Sequence, residues 1–341
     1  MRKRLWTIAI SMVLTMVFLA GCGEKTQEDI LEDLDTTLSE MTGYKANATM
    51  TLQTGTEAQK YDVEIWHQSD TYYRVALHNE NKDQNQIILR NDDGVFVLTP
   101  ALNKSFRFQS DWPKNNSQVY LYESLVSDIL LDGDRSFTAS EDHYVFQTTT
   151  NYQNKNLHSQ EIMLNKKDLT PASVKIMNTD FEVLVEVEFT SFEMNASFGE
   201  GDFETERNMT GASLEEIPTM AEGEEATEQP LTVLYPMYEP DGTSLTGSQT
   251  VQTEEGEKVV LSYTGERNFT IVQQRSKYVP ASTPMNISEG EPVDLGFTVG
   301  ILTNDSILWS YEGVDFILAS SELESEEMIS IARSVYGTLE K

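Results

Sequence analysis

From Tyr44 to Leu52 the chain alternates with a period of two. Tyr44, Ala46, Ala48, Met50 and Leu52 are apolar, while Lys45, Asn47, Thr49 and Thr51 are polar. A strand turns successive side chains to opposite faces, so this pattern predicts a half-buried β-strand and rules out an amphipathic helix. Further segments of strand character follow at 61–67, 72–79, 86–90, 95–98 and 105–109, then at 143–149, 158–165, 173–178 and 182–192. Asn91-Asp92-Asp93-Gly94, between two of them, is a turn signal. In the last segment Val183, Val185, Val187 and Phe189 point one way, and Glu182, Glu186 and Glu188 carry charge to solvent. The expectation is a meander of short antiparallel strands, curled so as to limit open edges.

Two helices interrupt this pattern. Ile30, Leu31, Leu34, Leu38 and Met41 share one helical face, and Gly43 is expected to end that helix. Leu121, Tyr122, Leu125, Val126 and Ile129 predict a second helix within 119–131, ended by Asp132-Gly133-Asp134. Some strands are apolar on both faces: Tyr72-Tyr73, Ile87-Ile88-Leu89 and Val95-Phe96-Val97-Leu98. One face of each is expected to meet the helices. The other is left to a concave interior or to a covering segment, since burial of such side chains is worth about 1.5–3 kcal/mol each.

Composition shifts near Gly199. From Glu200 to Glu228 there are ten acidic residues and one arginine, without apolar periodicity, which predicts a solvated linker over 200–229. Beyond it, Pro230, Pro236 and Pro240 punctuate an extended entry. Strands are expected at 258–263, 268–274, 293–303, 307–311 and 314–319, followed by a helix with Ser325 as N-cap and Met328, Ile331, Ala332 and Val335 inward. The expected class is β-rich α+β: one domain over 30–199 and a small α+β domain over 230–341.

The N-terminus speaks about location. Arg2, Lys3 and Arg4 precede an apolar run from Leu5 to Phe18, and Leu19-Ala20-Gly21-Cys22 follows. The run has the length of a signal-peptide core and is short for a membrane span of about 20 residues. Leu-Ala-Gly-Cys resembles the lipobox of bacterial lipoproteins. That resemblance implies a signal peptide over 1–21, acylation of Cys22, and a tether over 22–29. Cys22 is the only cysteine, so no disulfide forms within one chain and burial alone holds the fold. The net charge is −32, which excludes nucleic acid as a partner and excludes a basic patch as the membrane hold. Acyl chains on Cys22 are left as the anchor.

Little points to catalysis. His67, His78, His143 and His158 are scattered over predicted strands, with no HExxH pair. There is no Gly-x-Ser-x-Gly elbow and no glycine-rich loop joining a strand to a helix. Asp132-Gly133-Asp134 lacks the ligand series of a calcium loop. Carboxylate pairs carry no information among 56 acidic residues. Neither a catalytic residue nor a metal or cofactor is expected, and the chain is read as a non-enzyme.

The stretches Tyr44–Met50, Val63-Glu64-Ile65-Trp66, Tyr73-Arg74-Val75, Gln86–Leu89 and Asn91–Pro100 resemble the LolA/LolB-like lipoprotein carriers over roughly residues 30–200. The resemblance implies an unclosed antiparallel β-barrel with lid helices over an apolar cavity that takes a lipid or lipoprotein acyl chain. Trp66, Tyr73, Ile88, Phe96 and Leu98 are the candidate ligand-binding residues. His67-Gln68-Ser69-Asp70 follow Trp66 where the soluble carrier has a functional arginine, so Arg74 inherits no such role. The C-terminal stretches 259–263, 269–273, Leu308-Trp309, 313–318 and 326–332 resemble a domain of unknown function in secreted proteins of Gram-positive, often endospore-forming bacteria. The expectation is a lipoprotein on the outer face of the cytoplasmic membrane, holding a lipid or acyl chain. The alternative is a non-enzymatic envelope interaction protein, in sporulation or germination, whose barrel is filled by its own side chains. The sequence names no protein partner.

Overall fold

The computed structural model describes residues 25–53, 58–69, 71–79, 84–108, 110–113, 118–150, 157–209, 231–253, 256–276, 285–287, 290–295, 298–311 and 313–337. Cys22, the signal segment and residues 210–229 of the expected linker lie outside them. In chain order come α1 (Gln27–Glu40), β1 (Gly43–Leu52), β2 (Gln59–Gln68), β3 (Tyr72–Asn79), β4 (Gln84–Asn91), β5 (Gly94–Thr99), β6 (Lys104–Phe108) and α2 (Tyr122–Leu131). Then follow β7 (Ser136–Ala139), β8 (His143–Thr149), β9 (Ser159–Asn165), β10 (Pro171–Met177) and β11 (Val183–Met194), and a helical turn over 205–209. The remainder holds β12 (Tyr235–Pro236), β13 (Thr243–Thr253), β14 (Gly256–Gly265), β15 (Phe269–Arg275), β16 (Met285–Ile287), β17 (Glu291–Asp294), β18 (Val299–Leu302), β19 (Ser306–Tyr311), β20 (Val314–Ala319), α3 (Ser325–Arg333) and β21 (Val335–Gly337).

The chain divides into two compact units, residues 1–40 and 41–341. In the first, α1 starts three residues earlier than its apolar stripe because Thr26 and Asp29 cap it. The Thr26 N–H and hydroxyl donate to the Asp29 carboxylate (2.8 and 2.9 Å), and the Asp29 N–H donates to Thr26 Oγ1 (3.2 Å). Ile30 and Leu34 are its buried residues.

In the second unit the strands build a twelve-stranded sheet, β16-β6-β5-β4-β3-β2-β1-β11-β10-β9-β8-β7, and a seven-stranded sheet, β13-β14-β15-β20-β19-β18-β17. Both are unclosed. Among the described residues every pairing is antiparallel except that of β16 with β6. The pair β12-β21 forms a separate two-stranded ladder, and its Tyr235 and Val335 join the core of the seven-stranded sheet. Gly43 opens β1 rather than closing α1. Its φ is +152°, and a Cβ there would lie 2.3 Å from the His67 carbonyl oxygen, so only glycine lets the strands approach.

The expected strand over 293–303 is two strands, β17 and β18, paired as a hairpin. The expected N-cap also shifts by one residue. Ser325 is the first helical residue of α3, Glu324 is the cap, and Glu327 reaches back to accept from the Glu324 N–H (3.4 Å).

The two large sheets touch through polar contacts. The buried Gln86 side chain accepts from the Val299 N–H (2.7 Å) and the Thr298 hydroxyl (2.8 Å). Lys104 of β6 pairs with Asp315 of β20 at 2.5 Å, and Asp315 also accepts from Ser310 (2.7 Å) and Ser276 (2.5 Å).

Candidate functional site

The strands that are apolar on both faces lie side by side in the twelve-stranded sheet. Register assigns each residue to a face. Ile65 stands opposite Val75, Val75 opposite Ile88, and Ile88 opposite Val97, so these four form one row. Trp66 stands opposite Arg74, Arg74 opposite Leu89, and Leu89 opposite Phe96, which makes the neighbouring row on the other face. The candidate residues therefore separate. Tyr73 and Ile88 belong to the first face, and Trp66, Phe96 and Leu98 to the second.

The first face is met by the segment that leads into α2 and by α2 itself. Tyr73 stacks on His67 at 4.4 Å and meets the edge of Trp112 at 5.7 Å. The Arg90 guanidinium donates to the Trp112 carbonyl. Tyr44 stacks on Phe192 at 4.8 Å and meets Tyr122 edge-on at 6.3 Å. Its hydroxyl donates to Glu123 Oε2 (3.0 Å) and accepts from the Tyr122 N–H (3.1 Å), at the start of α2. Burial holds the Tyr44 phenol well above its usual pKa, and the Glu123 carboxylate adds to that rise. Burial also raises the Tyr122 phenol, with Asp168 contributing.

The second face is covered by residues 196–209, which follow β11. Phe203 joins Ile87, Leu89, Phe96 and Leu98 in one buried cluster, and Trp66, Tyr72, Ala76, Phe198 and Met209 pack around it. Phe203 lies 5.1 Å from Phe198 and 5.6 Å from Tyr72, ring to ring. Lys45 sits 4.8 Å from the ring centres of both Trp66 and Phe198, and Arg74 sits 4.5 Å over Trp66.

Hydrogen bonds clip the strap in place. Arg74 Nε donates to Asn208 Oδ1 (2.6 Å), while its guanidinium pairs with Glu64. The Asn208 amide donates back to the Asp202 and Glu204 carbonyls (3.0 and 2.9 Å), and the Asn91 amide donates to the Phe203 carbonyl (2.9 Å). Arg74, which carries no role from the carrier resemblance, thus holds the cover of the second face.

Sequence reasoning placed residues 200–209 at the head of an acidic linker. The signal it passed over is the set Phe198, Phe203 and Met209, three apolar residues spaced through the acids. The arrangement packs apolar and aromatic side chains against both faces of these strands. Among the described residues no three His, Cys, Asp or Glu side chains converge as metal ligands would.

The family described as Sporulation protein YdcC-like matches residues 2–203. The chain is 47% identical over 340 residues to the sporulation protein YdcC of Bacillus subtilis (strain 168), covering 99% of each. Among solved structures it is similar to a chain of the MucA/MucB complex of Pseudomonas aeruginosa, with 15% identity, 89% of this chain and 97% of that one covered, and a TM-score of 0.32. It is also similar to the LolA superfamily protein NE2245 of Nitrosomonas europaea, with 9% identity, 54% and 99% coverage, and a TM-score of 0.30.

Proposed function

This chain belongs to the family of YdcC-like sporulation proteins, and on that premise we propose that it is a non-enzymatic interaction protein of the sporulating cell's envelope. It is held on the outer face of the cytoplasmic membrane by acyl chains on Cys22. The observation that carries this reading is the cover on both faces of the two-faced strands. Trp112, Tyr122 and Phe192 crowd one face, and Phe198, Phe203 and Met209 the other. Side chains of the protein itself occupy the space that an acyl chain would take, so its binding surfaces are the outer ones.

An acyl-chain carrier with lid helices is the second reading. It is favoured by the character of the second face: Ile87, Leu89, Phe96 and Leu98 would present an aliphatic and aromatic floor to a ligand once residues 196–209 lifted.

A fluorescent fatty acid titrated into the full-length protein separates the two. No saturable binding at micromolar probe by folded protein leaves the interaction reading standing. Saturable binding that Phe96→Asp or Leu98→Asp weakens without unfolding the protein would replace it with the carrier. Anchoring is tested apart from both: Cys22→Ala abolishes labelling by an alkyne fatty acid and leaves the uncut precursor.

A further inference from the structure

The two large sheets have four outer edges. Three are blunt. β7 is four residues long, β16 three, and β17 four with Pro292 among them. Short strands and proline are the means by which sheets avoid pairing with a foreign strand. The fourth edge, β13, runs eleven residues, and among the described residues no strand pairs with its outer side.

β13 also contains no Asp, Glu, Lys, Arg or Pro, in a chain with 56 acidic residues. A register shift between Leu245 and Gly247 bends its first part. From Ser248 its pairing with β14 is continuous, Ser248 opposite Leu261 through Thr253 opposite Gly256. Ser248 to Thr253 are all exposed. Among the described residues no edge-protecting device covers Ser248–Gln252.

We propose that β13 is the seam of a homodimer, in which it pairs antiparallel with β13 of a second copy across a twofold axis. An isologous antiparallel seam sets a strand against itself. With a net charge of −32, much of this surface would place like charges opposite one another in such a seam, and directly opposed like charges destabilise a ladder. β13 instead opposes serine, threonine, glutamine and valine to one another, and its hydroxyls suit cross-strand hydrogen bonds. The backbone of Ser248–Gln252, which no strand among the described residues meets on its outer side, supplies the pairing, and the uncharged side chains let the strand face itself, so the occupant is the chain's own copy. This stands apart from whatever the N-terminal sheet binds.

Sedimentation velocity of the detergent-solubilised full-length protein tests it. The protein is expected to sediment as a dimer at micromolar concentration. In the double variant Gln249→Lys, Val251→Lys, both exposed positions, lysines face lysines across the seam. Its dimer dissociation constant should rise by about tenfold or more. Circular dichroism of that variant reports that it is folded, and Thr250→Cys, which lies on the twofold axis when position 249 faces 251, supplies a second readout as a disulfide-linked dimer on oxidation. A protein that stays monomeric at its highest soluble concentration would overturn the proposal. So would a dimer that the folded lysine variant leaves unchanged and that Thr250→Cys does not trap.

Discussion

In the seven-stranded sheet, β14, β15, β19 and β20 alternate buried and open residues along their lengths. Leu261, Tyr263, Ile271, Trp309, Phe316 and Leu318 face one side, where Met328, Ile331 and Ala332 of α3 join them in a single core. One covering layer suffices for these four strands, while β18 is buried along its whole length where Thr298 and Val299 meet Gln86 of the other sheet. In the twelve-stranded sheet, β4 and β5 bury consecutive residues, Ile87-Ile88-Leu89 and Val95-Phe96-Val97-Leu98, so both sides need cover. Trp112 and residues 119–131 serve one side and residues 196–209 the other. The difference teaches where function can sit. Strands with one buried face are complete once their helix docks. A sheet with two buried faces depends on a strap whose removal would expose an apolar floor.

The largest expected effect comes from thinning that strap. Phe203→Ala removes the central ring of the second-face cluster and should destabilise the protein by about 3–5 kcal/mol in chemical unfolding. It should also raise binding of a hydrophobic dye. The matched change on the less buried side of the other sheet, Val260→Ala, should cost less than about 1 kcal/mol. Equal costs at the two sites would break the contrast between a two-layer and a one-layer cover.

The C-terminal sheet has its own demanding contact, and it is polar. Gln273 is fully buried among the apolar residues, and its amide clamps the entry segment before β12. Its oxygen accepts from the Leu234 N–H (3.0 Å) and its nitrogen donates to the Leu234 carbonyl (2.6 Å), as a strand partner would. Gln273→Leu leaves both backbone groups without that partner and should cost about 2–4 kcal/mol, read as a shift of the urea midpoint. A near-neutral Gln273→Leu would mean that the entry segment is not held through this residue.

A smaller effect is expected at the clip of the strap. Asn208→Ala removes the acceptor of Arg74 Nε and the donor to two strap carbonyls, at a cost of about 1.5–3 kcal/mol. Hydrogen exchange should quicken over 196–209 and stay unchanged in β14 and β15. Exchange that quickens equally in both sheets would show that the strap is not a local cover.

Much of this fold was legible in the alternation of β1, β2 and β8–β11, because one-sided burial writes itself into sequence at period two. The doubly apolar β4 and β5 were legible as strands, and their need for cover on both sides was too. What occupied the second side was not, because Phe198, Phe203 and Met209 are spaced irregularly among acids and follow no helical or strand period. The candidate site divided for the same reason. Ile88 and Phe96 read alike in sequence, and only register puts them on opposite faces. β13 went unseen because Thr-Ser-Leu-Thr-Gly-Ser-Gln-Thr-Val-Gln-Thr has no apolar alternation, and its exposed strand is defined by pairing with β14 alone. The turn between β17 and β18 was hidden in a run whose apolar residues continue through both strands.

The smallest effect concerns α2, and it is read by pH. Leu121 at the N-cap of α2 makes no side-chain cap, and the Tyr44 hydroxyl takes that role by accepting from the Tyr122 N–H. Tyr44→Phe keeps the ring packing but leaves that N–H and the Glu123 carboxylate without the hydroxyl, at a cost of about 1 kcal/mol near neutral pH. The native phenol is held above its usual pKa by burial first and by Glu123 second. In the unfolded chain tyrosine ionises near pH 10. Above that pH the native state therefore retains a proton that the unfolded state has lost. This share of the stability is full below about pH 10 and falls as pH rises through the alkaline range. Tyr44→Phe removes the share, so the gap between the two proteins should narrow at alkaline pH. Tyr263 in the seven-stranded sheet, also raised chiefly by burial, continues to contribute in both. Parallel unfolding midpoints for the two proteins from pH 8 to 11 would show that Tyr44 ionises as freely in the native state as in the unfolded chain, and that the first face is open to water.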